Sequence, residues 1–157
     1  MVKILAMVGA LVVLAPWRAS AQPVDYPELG SWRVDLAKSQ FPPGLAPQEK
    51  TYAFEATPAG FKETIHTRDA QGHERTSGST YRYDGKMYAF TGYPLIDAIA
   101  IKRLDRFRAD VTFFRGGKVV GRAHANISRD ARTITFAENL QDRSGRPMHI
   151  VEVLARR

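Results

Sequence analysis

The chain is 157 residues long, with 23 Lys and Arg against 16 Asp and Glu, a formal net charge of +7 and no cysteine. That length suits one ordinary domain with a buried core, and the missing cysteine excludes disulfides, a thiol nucleophile and a lipid-modified N-terminal cysteine. The positive excess is spread along the chain without a block of like charges, which reads as a solvated basic surface rather than a polyanion-binding segment.

Met1-Val2-Lys3 gives a positive start, and Ile4 to Ala15 is an apolar run interrupted only by Gly9. Pro16, Trp17 and Arg18 break it, and Ala19-Ser20-Ala21 supplies the small residues that a signal peptidase reads. This pattern predicts a secretory signal peptide over 1–21, cleaved before Gln22, and a periplasmic or secreted protein. The apolar run is roughly a dozen residues against the about 20 that a bilayer requires, so no membrane span is predicted. Residues 22–29 carry two prolines and read as an extended leader.

From Gly30 to the end at 157 the chain reads as one domain of short β-like runs with turn signals between them. Strands are predicted at 30–35, 49–57, 61–69, 73–83, 86–90, 97–104, 107–115, 118–128, 132–140 and 146–155. Their turns are Pro58-Ala59-Gly60, Gln71-Gly72, Asp84-Gly85, Gly116-Gly117, Asp130-Ala131 and Arg143-Ser144-Gly145. Only 36–48 departs from the rhythm, as a helical turn followed by the loop Pro42 to Pro47. Short connections permit only antiparallel neighbours, so the fold class is all-β: an up-and-down meander of about 8–10 strands closed into a barrel. A two-sheet sandwich is the alternative.

Alternation sets the expected inner face. In 118–128 it is Val119, Gly121, Ala123, Ala125 and Ile127. Turning about Asp130-Ala131 pairs Ile127 with Ile134, Ala125 with Phe136 and Ala123 with Glu138. Turning about Arg143-Ser144 pairs Ile134 with Val153, Phe136 with Val151 and Glu138 with His149. The face Phe107, Ala109, Val111 and Phe113 joins them if the Gly116-Gly117 turn includes a bulge, with Gly117 supplying a positive φ. One buried cluster of Phe107, Val111, Phe113, Ile127, Ile134, Phe136, Val151 and Val153 is therefore expected. The small residues Gly121, Ala123 and Ala125 leave room for one small ligand unless Phe107, Phe113 and Phe136 fill it.

Glu138 beside His149, on an otherwise apolar face, is either a satisfied structural link or a site. No Gly-x-Ser-x-Gly elbow and no phosphate loop occurs, and His66, His73, His124 and His149 lack metal-ligand spacing, so no catalytic residue, metal or cofactor is assigned. Turning about Asp84-Gly85 sets Tyr81 opposite Tyr88, either lining a pocket mouth or stabilising a hairpin. Aromatics interleaved with Arg and Lys suit single-stranded nucleic acid, but the export signal argues against that partner.

Gly30-Ser31-Trp32, followed by Asp35 and Lys38-Ser39, resembles the Gly-x-Trp opening of the lipocalin and wider calycin barrels. With Tyr83-Asp84-Gly85-Lys86, Thr91-Gly92-Tyr93-Pro94, Lys102-Arg103-Leu104-Asp105 and Gly117-Lys118-Val119-Val120, the chain is similar to a group of small exported lipocalin-like proteins of Gram-negative bacteria. The resemblance implies a lipocalin-like barrel and no particular activity. It also suggests that Arg156 stacks over Trp32, as the closing arginine of a lipocalin does. The chain lacks the Thr-Asp-Tyr motif, the disulfide and a C-terminal helix of true lipocalins.

The resulting expectation is a non-catalytic barrel that binds a small apolar or weakly acidic molecule. Trp32 closes its narrow end, Tyr81 and Tyr88 stand at the mouth, and Arg103, Glu138 and His149 supply polar contacts. Arg103 shares the face of Ile99 and Ile101 and is expected to meet a ligand carboxylate or Glu138. Two other classes stand beside this reading: a barrel enzyme with Glu138 and His149 as acid and base, and an envelope interaction protein with a filled core.

Overall fold

The computed structural model describes residues 26–157. The segment expected to be a signal peptide, 1–21, and the first part of the expected leader lie outside the described residues. Ten strands form: β1 Gly30–Val34, β2 Glu49–Thr57, β3 Gly60–Arg68, β4 Glu74–Tyr81, β5 Asp84–Thr91, β6 Ala98–Arg103, β7 Arg108–Arg115, β8 Lys118–Ile127, β9 Thr133–Gln141 and β10 Pro147–Arg156. Their boundaries lie within one or two residues of those read from the alternation. Each strand pairs antiparallel with its chain neighbours, and β1 pairs with both β2 and β10 to close the barrel. No helix of the described residues is long and apolar enough to cross a membrane.

The seam depends on more than β1, which reaches β10 only through Trp32↔Arg156, Arg33↔Ala155 and Val34↔Leu154. Beyond Val34 the chain keeps bonding to the same strand. The Asp35 amide donates to Val153 O at 2.7 Å, and Gln40 and Val151 exchange both backbone bonds. In place of the helical turn expected after Asp35 there is one turn, with the Lys38 amide donating to Asp35 O. The ladder of β10 takes up the rest of the segment, so its backbone groups are satisfied without a helix. At the opposite extreme, β4 and β5 share only Gly78↔Thr91 and Ser79↔Phe90.

Register follows turn chemistry. Between β8 and β9 the pairs Ile127↔Ile134, Ala125↔Phe136 and Ala123↔Glu138 form as expected. Between β9 and β10 the expected register is wrong by one residue: Ile134 pairs with Leu154, Phe136 with Glu152 and Glu138 with Ile150. The cause is Gly145, whose φ of 85° gives a three-residue turn, Arg143-Ser144-Gly145, closed by Asp142 N to Arg146 O. The one-residue shift turns Ile150, Glu152 and Leu154 inward and Val151, Val153 and His149 outward. A bulge also occurs in β8, but in the strand rather than in the turn. Phe113 pairs with Gly121 and Phe114 with Val119, which leaves Val120 unopposed and buried and Val119 49% exposed.

Trp32, Ile99, Ile134 and Leu154 are the most completely enclosed apolar side chains, joined by Glu152. Val111 is buried with them, and Phe113, Ile127 and Phe136 pack against the same cluster while half-exposed to the interior space. Leu154 stands where β1, β10 and β9 meet and is 0% exposed. Leu154→Ala is expected to cost about 2–5 kcal/mol, measured by urea unfolding. Val153→Ala, on the outer side, should cost clearly less, an ordering that reports the register directly.

Candidate functional site

One end of the barrel is sealed by the leader and the chain end together. Trp32, fully buried, donates its indole N–H to Glu28 O at 2.7 Å. The Arg156 guanidinium lies 4.2 Å over the indole and donates to the backbone oxygens of Leu29 and Ala131 at 2.8 and 2.7 Å, and to that of Pro27. Trp32 lies in this end of the barrel and not among the residues that line the cavity, and the Arg156 stack implied by the lipocalin resemblance is present.

Arg103 lines the interior beside Ile101 but does not meet Glu138. Its partner is Glu28 of the leader, with which it forms an ion pair. Tyr83 donates its hydroxyl to the same carboxylate at 2.6 Å. The guanidinium stacks 4.2 Å from the ring of Tyr83 and 4.7 Å from that of Tyr26. Tyr81 packs edge-on to Tyr83, and burial pushes the hydroxyls of both well above the usual tyrosine range. Glu28 sits in a segment read only as an extended leader, so Arg103 was left with the wrong partner in the expected site.

Above this plug, toward the β1–β2 and β3–β4 loops, lies a cavity of about 390 Å³. Its walls are largely apolar: Phe54, Ile99, Val111, Phe113, Phe136 and the small Ala123 and Ala125 of β8. The large aromatics therefore leave the space open, which answers the choice between an open and a filled core. Tyr81, Arg103 and Glu138 line it. Tyr88 does not: its hydroxyl turns out of the barrel to Asp84 at 2.9 Å, because the irregular stretch from Asp84 to Met87 carries this end of β5 away from β4. His149 is on the outside, 3.0 Å from Asn139 Oδ1. The sheet itself separates it from Glu138, so these two cannot act as an acid–base pair.

What replaces that pair is a polar group across the middle of the barrel. Lys50 of β2 donates to Glu152 at 2.6 Å, and Tyr52 donates to the other oxygen of the same carboxylate. Burial alone would depress the Lys50 ammonium, but Glu152 and Glu138 hold it above its ordinary value. Burial and then Glu152 push the Tyr52 hydroxyl well up. Glu63 and Glu138 also face this space and have neither an ion pair nor a hydrogen bond among the described residues. Burial is the main reason that Glu63 is pushed up to about 7 and Glu138, with Glu152 adding its charge, to about 8. Arg75 lines the cavity with its guanidinium 5.0 Å over the Tyr93 ring.

Lys50, Glu63 and Glu152 were missed in the sequence, though two carried a legible signal. Lys50 alternates with Tyr52 and Phe54, and Glu63 with Phe61 and Ile65, which places both on inner faces. Glu152 was hidden by the slipped register of β10. No protein-family model matches the chain, and no curated protein matches it either. The fold itself, a closed ten-strand antiparallel barrel, is compatible with the lipocalin-like architecture.

Two outcomes are expected of the buried charges. Arg103→Ala leaves Glu28 enclosed without its cation and should cost about 3–5 kcal/mol in urea unfolding, whereas Glu28→Gln/Arg103→Met together should cost less than Arg103→Ala alone. The second concerns pH. Unfolded, Glu63 and Glu138 ionise near 4.5; folded, they keep their protons to about 7 and about 8. The folded state thus holds more protons between these limits, so stability falls as pH rises from about 5 to about 8. Glu138→Gln should flatten that fall by on the order of 1 kcal/mol or more, read from unfolding midpoints across the range.

Proposed function

We propose that this chain is an exported, non-catalytic barrel that holds one small, mostly apolar molecule, of the kind suggested by its likeness to small exported lipocalin-like proteins. The cavity of about 390 Å³ carries the reading, because it is enclosed by apolar wall and floored by a sealed end. Pockets of this size and character are what small-molecule sites require. The aromatic and aliphatic lining supports binding through burial of apolar ligand surface, at about 25 cal/mol per Å² removed from water. The acidic ligand group anticipated from Arg103 loses its anchor, since that cation is committed to Glu28. The loss of the Glu138–His149 pair leaves the acid–base enzyme without its proposed machinery, and the open interior weighs against a filled interaction module.

Native mass spectrometry of the protein purified from its own host tests both halves of the proposal. The expected species begins at Gln22 and carries a small molecule. Ala125→Phe, placed against the open space, should lower ligand occupancy severalfold while the protein stays folded. A chain that retains Met1 defeats the export half, and an empty barrel that binds no apolar probe defeats the binding half.

A further inference from the structure

The polar groups inside the barrel are unbalanced in a particular place. Around the middle of the cavity stand three carboxyl groups, Glu63 of β3, Glu138 of β9 and Glu152 of β10, and one ammonium, Lys50. Glu152 accepts that ammonium's hydrogen bond and the Tyr52 hydroxyl as well, while Lys50 acts on Glu63 and Glu138 only at longer range. Glu63 and Glu138 remain without any hydrogen-bond or ion-pair partner, enclosed by the barrel wall, with their remaining surface on the cavity. Two other charged residues line this upper part: Asp69, which faces His73, and Arg75, which lies over Tyr93 with its Nε buried and unpartnered. Elsewhere in the interior the protein supplies its own counter-charge, as Glu28 does for Arg103. Here it does not, and the unfilled space beside the two carboxyls is where a counter-charge fits.

We propose that the cavity takes a small apolar molecule carrying a primary ammonium group, which Glu63 and Glu138 receive as acceptors while the apolar body lies against Phe54, Val111 and Phe136. An ammonium has three donors and no acceptor, which matches an acceptor-only pair of carboxylates. Hydrogen bonds to ionised groups are the strong ones, above all away from bulk water. Lys50 on Glu152 shows the same chemistry satisfied in the same cavity by the protein's own side chain. An organic ammonium suits the site better than a metal ion, because among the described residues no group of three or more His, Asp or Glu could hold a metal. A neutral carbonyl ligand would instead need a protonated carboxyl as its donor, and it differs in its pH dependence.

This assignment rests on the reading of the barrel as a binder of apolar molecules, and the test separates the two. Octylamine, 1-octanol and octanoate share one apolar chain and differ only at the head. Their binding to the mature protein is measured by calorimetry at pH 6 and pH 8.5. Octylamine stays charged throughout, as does Lys50, and Tyr52 and Tyr93 stay neutral. The cavity groups raised into this range are Glu63 and Glu138. Octylamine is expected to bind about tenfold more tightly at pH 8.5 than at pH 6, with octanol unchanged.

Glu138→Gln and Glu63→Gln, made separately, should each weaken octylamine about tenfold at pH 8.5 and leave octanol binding intact, which also shows that the variant is folded. Should one variant fail to fold, the other and the pH profile of the unmodified protein still decide the matter. Octanol bound as tightly as octylamine, octanoate preferred, or octylamine weakening as pH rises overturns the ammonium assignment and leaves the apolar barrel standing. Failure of all three probes to bind overturns both.

Discussion

Pairing of the first strand with the last is the constraint on which the interior depends. An open ten-strand sheet would expose two edges and let water reach both of its faces. Closure gives every strand two neighbours and converts one face into an inside. The pairing of β1 with β10 is short, and the segment from Asp35 to Gln40 lengthens it by bonding along the same strand. The sealed end is built on that seam: Trp32 is a residue of β1, Arg156 a residue of β10, and Glu28 and Leu29 lead directly into β1. Apolar packing, the plug and the cavity all follow from this single joining of chain start to chain end.

Once there is an inside, each polar group in it must be accounted for. The interior handles this in two contrasting ways. Arg103, Glu28 and Tyr83 form an arrangement whose charges cancel and in which the guanidinium stacks on the ring, with Glu28 Oε2 and Arg103 Nε left without a hydrogen bond. Lys50, Tyr52 and Glu152 are joined by hydrogen bonds. Among the interior carboxyl groups, Glu63 and Glu138 are the two with no ion pair or hydrogen bond, and they face open space rather than packed side chains. Two such carboxyls weaken the empty barrel at neutral pH, which is a cost that a purely structural interior would have no reason to carry.

The fold was readable because turns recur at regular intervals and because the strands alternate. The inner face of β8 against β9 was readable for the same reason, since both strands are apolar on one side only. Strand β10 was not, because Met148 to Leu154 is apolar on both faces apart from His149 and Glu152, so alternation gives no preference. There the decision passed to one backbone angle at Gly145, which sequence pattern does not report. The site suffered twice from that shift: His149 was brought in and Glu152 was left out. Lys50 and Glu63 were on legible inner faces, yet charged residues inside a barrel run against expectation. Glu28 was beyond reach, since only the folded chain brings the leader back under Arg103.

The wall of the barrel is uneven around its circumference. Between β4 and β5 the backbone ladder amounts to Gly78↔Thr91 and Ser79↔Phe90, and beside it the Ser79 hydroxyl, not an amide, donates to Ala89 O at 2.7 Å. Side-chain contacts can part and re-form without unravelling the strands on either side, whereas a ladder must break cooperatively. The amides of this stretch therefore exchange with solvent ahead of those in β9 and β10. Were these two strands to part, the cavity would open sideways through the wall instead of through the loops at the mouth.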